Sequence, residues 1–397
     1  MPDAGPPRSV YVHVPFCAKR CHYCDFSVAR AATPPLDAYF DALARDLDAW
    51  FEEYGWAEPV RVETLFIGGG TPSLLGPDGM RRLAALLRTR FTWDPARVEW
   101  TAEANPNSLT DEVCAAWREL GVNRLSIGVQ SFQDGPLAWL GRLHDAAEAA
   151  SAVERAGAAG FERINVDLIF GLPDDVPRDW GSDVARALEL GVTHVSAYGL
   201  TAEPRTPLGR LVDLGRVRMP GDRRYGDEYL EVAGVLARAG YEHYEVSNFA
   251  RPGHASVHNW HYWDGSEYLG LGPSAHSYLC GERIWNVHRW DRYRRAAETR
   301  DTLREGRERP DSAARRLERI WLGLRTRAGV PWAEVGPVGH EAKLASWRDE
   351  GWIAPDGAAL RLTPAGWLRL DPIAAEVAGW TDASIRDESQ ELQGNRA

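Results

Sequence analysis

Cysteine, lysine and long apolar runs are all scarce in this chain, and each shortage narrows what it can be. Five cysteines in 397 residues, with no secretory pattern in Met1 to Arg8, do not make a disulfide scaffold and point to a reducing compartment, so a cytoplasmic protein is expected. No apolar run approaches the roughly 20 residues of a membrane helix, so no membrane span is expected. Positive charge is in deficit too. A formal net charge of -11 and a pI of about 5.5 disfavour attraction to phosphate backbones along the chain, and nucleic acid is not an expected partner. Lysine occurs only as Lys19 and Lys343, a bias that reflects genome composition more than function. Apolar residues at 44% and charged residues at 26% are ordinary for a globular protein. The length allows one large α/β domain and a smaller one.

The stretch from Val10 to Phe26, VYVHVPFCAKRCHYCDF, organises the rest. Val10 to Val14 alternates β-branched and bulkier residues and stops at Pro15, which reads as a strand feeding a loop. The loop carries Cys17, Cys21 and Cys24. In this C-x3-C-x2-C spacing three thiolates on one side of a tight loop can hold three corners of a cubane iron-sulfur cluster and leave the fourth iron open to a substrate. A disulfide between two of them, or a zinc site completed by His13 or His22, are the alternatives.

Downstream, helical and strand periodicities alternate. Helices are expected over Pro35 to Tyr54, Asp78 to Arg90, Thr110 to Leu120, Asp145 to Ala159 and Arg178 to Leu190. Strands are expected over Val62 to Ile67, Val98 to Ala104, Arg124 to Val129, Ile164 to Phe170 and His194 to Tyr198. With the first strand this makes six strands separated by crossovers, hence a parallel sheet in an open barrel or a doubly wound fold. Unusual residues gather at the strand ends: Gly68 to Ser73, Glu103 to Asn105, Gln130 to Phe132, Asp167 to Pro173 and Tyr198 to Leu200. Ligands bind at that edge of parallel sheets, so these segments and the cysteine loop should share one cavity. Taken singly, the glycines can simply make a turn, and Glu103, Gln130, Arg142 and Asp167 can be caps or ion pairs.

Together YVHVPFC, GGGTPS, GVQSF and NVDLIFGLP resemble, in order and spacing, the coproporphyrinogen III oxidase-like branch of the radical S-adenosylmethionine (SAM) superfamily. The resemblance runs from about Val10 to Tyr278 and more weakly to Val377. It implies a partial (β/α)6 barrel with a smaller C-terminal α+β wing-like domain. It also implies a [4Fe-4S] cluster on Cys17, Cys21 and Cys24, and SAM chelated at the open iron, where an electron breaks the sulfonium C-S bond and releases a 5'-deoxyadenosyl radical. By the same resemblance Gly69, Gly70 and Thr71 contact the SAM amino group, Glu103 and Asp167 are acidic contacts, Gln130 and Arg142 polar ones, and Tyr11 and Tyr23 aromatic neighbours.

A helix expected over Arg223 to Ala239 leads to Tyr241 to Phe249 and then to HASVHNWHYW, His254 to Trp263. Its rings can be plain core packing, or its histidines a zinc site. A porphyrin needs a broad apolar stacking surface and an imidazole for its iron, which explains more of these residues. His258 to Trp263 is similar to the H-N-x-x-Y-W signature of HemW-type haem chaperones. That makes His258 the first candidate haem ligand, with His254, His261 and His276 as alternatives, and Gly270 to Ser277 a turn near the same cavity. Ala313 to Arg325 reads as a helix. Trp352-Ile353, Leu360 to Leu362 and Trp367 to Leu370 suggest the wing-like unit, on which Asp349, Glu350, Asp356 and Asp371 argue against a DNA face. The expected division is a SAM barrel over 1–250, a His/aromatic segment with the haem site over 251–300, a C-terminal domain over 301–380 and a disordered tail over 381–397.

The reading that follows is a cytoplasmic haem chaperone that binds haem, a [4Fe-4S] cluster and SAM and transfers haem to an acceptor protein of unknown identity, with a homodimer left open. The first alternative is oxygen-independent coproporphyrinogen III dehydrogenase, a radical oxidative decarboxylase of propionates. That family carries a cysteine two residues after the third cluster ligand, where this chain has Phe26, and a long N-terminal lid, where only Met1 to Ser9 precede the first strand. The second is a non-catalytic metal-binding or RNA-modifying protein, disfavoured by acidity.

Overall fold

Alternating apolar residues along the expected strands need two faces to bury them, and the helices between supply one. The computed structural model describes residues 5–355 and 357–380, so the expected tail 381–397 lies outside the described residues. Six strands, β1 (Ser9–Val14), β2 (Thr64–Gly69), β3 (Glu99–Ala104), β4 (Arg124–Gln130), β5 (Arg163–Phe170) and β6 (His194–Gly199), lie side by side in chain order and all parallel. Helices α1 (Leu36–Tyr54), α2 (Gly76–Arg88), α3 (Asp111–Leu120), α4 (Ala146–Ala158) and α5 (Trp180–Glu189) make the crossovers. Local chemistry starts them: Thr110 caps α3, Asp145 and Glu148 form a capping box on α4, and Asp179 caps α5. This is the partial (β/α)6 barrel expected from the sequence.

Each strand has one apolar face. Val10, Val12, Leu65, Ile67, Trp100, Ala102, Leu125, Ile127, Val166 and Leu168 are fully buried, toward the helices. The intervening residues, among them Glu103, Arg124, Ser126, Asn165 and Asp167, line the concave interior. Polar alternation of this kind fits a barrel interior that holds a ligand; a doubly wound sheet would be apolar on both faces.

The sheet is wider than six strands. Beyond β6 it continues through the hairpin β7 (Glu242–Glu245) and β8 (Asn248–Ala250), reached by α6 (Asp222–Arg238). On the other side β9 (Tyr268–Leu271) pairs parallel with β1, and β10 (His276–Leu279), β11 (Glu282–Asn286) and β12 (Arg304–Glu308) follow antiparallel, giving twelve strands. So Gly270 to Ser277, expected as a turn, is a turn only at its centre and belongs to strands at both ends. Asp46 of α1 fastens this extension. Fully buried, it accepts from Gly272 N–H (2.9 Å), Asn286 Nδ2 (2.9 Å), the Tyr293 hydroxyl (2.7 Å) and Arg304 Nη1 (2.5 Å). Tyr293 sits on α8 (Trp290–Thr299).

The string His258 to Trp263 forms the short helix α7 (Val257–Trp263), lodged inside the barrel at the N-terminal ends of its strands. Glu99 at the start of β3 receives Val257 N–H (3.0 Å), His258 N–H (2.9 Å) and the Ser256 hydroxyl (3.2 Å), and is paired with Arg163 Nη2 at 2.8 Å. His261 Nδ1 lies 2.5 Å from Ser9 Oγ. A C-terminal unit of α9 (Ser312–Leu324), α10 (Glu341–Asp349), α11 (Leu370–Ala378) and small ladders at Val330/Leu360 and Ile353/Leu362 packs beside β7. Arg325 bridges it to the barrel, its guanidinium 4.6 Å from the Trp263 ring and 4.7 Å from that of Trp321. No helix of the described residues is long and apolar enough to cross a membrane.

Candidate functional site

The C-terminal ends of the barrel strands surround a cavity of about 420 Å³, roofed by the cysteine loop. The loop leaves β1 at Pro15 and returns at Ala29, where Ala29 N–H donates to Pro15 O (2.6 Å) and Ala31 N–H to Cys17 O (2.9 Å). Cys17, Cys21 and Cys24 are free, half-buried and all on the cavity wall. Burial pushes the thiols of Cys17 and Cys24 up from their ordinary values.

The loop is tied to the barrel through its own cysteines. Thr71 Oγ1 donates to Cys17 Sγ (3.4 Å), Asn105 Nδ2 to Thr71 Oγ1 (3.0 Å), and Arg142 Nη2 to Asn105 Oδ1 (2.5 Å) and Gly128 O (2.7 Å). Arg142 Nη1 then reaches Cys21 Sγ at 3.7 Å. This chain of contacts fixes two of the three sulfurs against the ends of three strands. Gly70 sits where a Cβ would fall 2.7 Å from Phe16 O and 3.1 Å from Cys17 Sγ, so only glycine lets the loop come this close. Gly69 has φ +111° and donates its N–H to Glu103 Oε2 at 3.0 Å.

Deeper in the barrel, burial first and then the like charge of Asp167 raise the Glu103 carboxyl to about 8, while the Gly69 N–H and Arg124 oppose the shift. Asp167 is also raised by burial, although Asn165 Nδ2 (2.8 Å) and Ser126 Oγ (3.3 Å) donate to it. Two buried carboxyls facing one space prefer a cationic guest. Gln130 adopts φ +70° where the β4–β5 register slips, a strained placement that turns its side chain into the cavity.

The structure therefore brings Cys17, Cys21, Cys24, Tyr23, Gly69, Gly70, Thr71, Glu103, Gln130, Arg142 and Asp167 to one cavity. Tyr11 is placed differently. It lines a neighbouring cavity of about 370 Å³, with its hydroxyl 2.9 Å from His13 Nδ1. His258 also departs from an accessible ligand: it is wholly buried, its Nδ1 2.7 Å from Thr64 Oγ1 and its Nε2 2.9 Å from the Tyr262 hydroxyl. Both imidazole nitrogens are engaged in holding α7 in the barrel. Of the two histidines of the zinc alternative, only His13 is engaged in the same way. Its Nδ1 faces the Tyr11 hydroxyl at 2.9 Å and its Nε2 faces Ser27 O at 3.0 Å, whereas His22 stands edge-on to Trp139 with no hydrogen bond to its ring nitrogens among the described residues.

Several cavity residues were not singled out from the sequence, among them Arg124 and Asn165 on the interior face, and Asn259, which α7 presents from below. The alternation Glu99-Thr101-Glu103, Arg124-Ser126-Gly128 and Arg163-Asn165-Asp167 is the signal that could have found most of them.

Residues 11–187 match the family described as the Radical SAM superfamily. The protein named Heme chaperone HemW from Lactococcus lactis is 39% identical over 324 residues, covering 82% of this chain and 83% of that relative. Its namesake from Mycobacterium tuberculosis is 37% identical over 381 residues, or 95% and 96% of the two chains. That from Escherichia coli is 40% identical over 272 residues, or 68% and 70%. Among solved structures, the coproporphyrinogen III oxidase HemN from Escherichia coli, described as a radical SAM enzyme, superposes with a TM-score of 0.77 over 94% of this chain and 91% of its own; at 23% identity this shows the shared fold. With its cysteine loop, polar barrel interior and end-to-end relatives, the chain belongs to the HemW family of the radical SAM superfamily.

Proposed function

We propose that this chain is a cytoplasmic haem chaperone that carries a [4Fe-4S] cluster on Cys17, Cys21 and Cys24, binds SAM beneath it, and passes haem to an acceptor protein. The observation that carries this reading is the end-to-end likeness to relatives that bear that name. The donor set fits the cluster: three free thiols on one loop, two of them held by hydrogen bonds from Thr71 and Arg142. When bound, cluster and SAM would supply one-electron chemistry at the sulfonium carbon. The chain's own part is to bind and orient. The Gly69 to Thr71 backbone approaches the loop, Glu103 and Asp167 offer carboxyls to a cation, and Gln130 and Arg142 offer polar contacts at the rim.

The competing reading is oxidative decarboxylation of coproporphyrinogen III. It is weakened by Phe26, which stands where the resembling dehydrogenases carry a further cysteine and is 65% exposed at the cavity mouth. The two separate in one anaerobic preparation, reconstituted with iron and sulfide. Given SAM, a reductant and coproporphyrinogen III, it should release no protoporphyrinogen at catalytic rates, and once loaded with haem it should pass haem to apomyoglobin. Catalytic protoporphyrinogen formation would overturn the chaperone reading.

A further inference from the structure

The second cavity, of about 370 Å³, lies outside the SAM site and is built for a different guest. Its walls carry the rings of Tyr11, Phe26, Tyr262, Tyr268, His276 and His288. The volume falls at the low end of small-molecule sites, roughly 300–1,000 Å³, and the space opens to solvent where Phe26, His276 and His288 are exposed. An open aromatic slot stacks part of a flat macrocycle and leaves its edge outside, as suits a cargo that must be given up.

The imidazoles are the discriminating feature. His276 begins β10; its ring lies stacked against Trp285 of the paired strand (centroids 6.2 Å apart, 25° between planes), and neither ring nitrogen has a hydrogen-bond partner among the described residues. His288 has Nδ1 3.1 Å from Ser274 Oγ, while His13 has both nitrogens engaged, with the Tyr11 hydroxyl and Ser27 O. His288 keeps its Nε2 free, but His276 has both nitrogens uncommitted and its ring braced against Trp285, which suits it better as an axial ligand of haem iron. His258, in contrast, would have to break its bonds to Thr64 and Tyr262 before it could ligate anything.

We propose that this cavity is the haem seat, with His276 as the protein ligand to iron and Phe26 and Tyr268 as stacking surfaces. The inference rests on the haem-chaperone reading and gives it a location. Asp25 and Phe26 line both cavities, so haem here abuts the cysteine loop without entering the SAM site. Tyr262 connects the string H-N-x-x-Y-W to the same place: His258 fixes α7, and α7 presents Tyr262 to the haem cavity.

The test is haem titration of the reconstituted full chain followed by Soret and electron paramagnetic resonance spectra, for wild type, His276→Ala and His258→Gln. His276 is exposed, so its replacement should leave the thermal midpoint unchanged. The expected result for His276→Ala is loss of the histidine-ligand spectrum, affinity lower by about tenfold or more, and recovery of the spectrum with added imidazole. His258→Gln should lower the thermal midpoint yet keep the wild-type haem spectrum. A His276→Ala protein with wild-type spectrum and affinity overturns the site alone, as does a folded His258→Gln protein that has lost the ligand. A wild-type protein that binds no haem overturns the chaperone reading and the site together.

Discussion

Glu103 is buried beside a second carboxyl, and burial reinforced by the like charge of Asp167 raises it to about 8. A cation beside it favours the carboxylate, so binding SAM should expel a proton. At neutral pH, below the raised value, affinity should therefore rise with pH and level off above about 8. The same shift makes the ligand-free fold lose stability as pH climbs from the ordinary carboxylate range toward that value, because the folded state binds the proton more tightly than the unfolded one. Calorimetry of SAM binding in buffers of different ionisation enthalpy checks this. Glu103→Gln should remove the proton release and flatten the pH dependence, and an unchanged profile would refute the role. Gly70 gives a second test at this scale. A methyl group there collides with the Phe16 carbonyl and the Cys17 sulfur, so Gly70→Ala should cost about 1–3 kcal/mol and sharply reduce the iron retained after reconstitution. Full iron content in the variant would show that the loop has room to spare.

At the scale of elements, α7 is a plug and Glu99 is its anchor. His258→Ala deletes a buried ring and leaves the Thr64 and Tyr262 hydroxyls without their partner, a loss of about 2–4 kcal/mol. Glu99→Ala strands Arg163 and frees the N-terminal amides of α7, and should cost more, about 3–5 kcal/mol. Denaturant unfolding of both variants should rank them in that order; equal stability of His258→Ala and wild type would remove the plug. Much of this architecture was legible beforehand. The crossover helices and six strands appear within about two residues of their expected bounds, because capping residues and 2.0 or 3.6 periodicity are local signals. The helix α7 was not, because its string is equally rich in aromatic residues whether it forms a surface platform or fills a barrel. Nor was β9, since pairing Tyr268 with Ser9 joins segments far apart in sequence with no shared local mark.

For the whole molecule, the sheet order places two cavities on either side of Asp25 and Phe26. One is ringed by strand ends, the other formed where β9 to β11 extend the sheet past β1. The cysteine triad and the glycine-rich strand end were readable because their chemistry demands a fixed spacing. The placement of Tyr11 away from the SAM site was not, because which face of an added strand meets β1 depends on tertiary pairing. The account stands or falls on whether the cysteine loop holds a cluster with a vacant corner over Glu103 and Asp167. The most direct measurement is low-temperature electron paramagnetic resonance of the anaerobically reconstituted, reduced protein before and after adding SAM, with iron and sulfide quantified on the same sample. The expected result is iron and sulfide in the proportion of one cubane per chain and a signal whose g values shift when SAM is added. Zinc in place of iron, or a cluster signal indifferent to SAM, would contradict it.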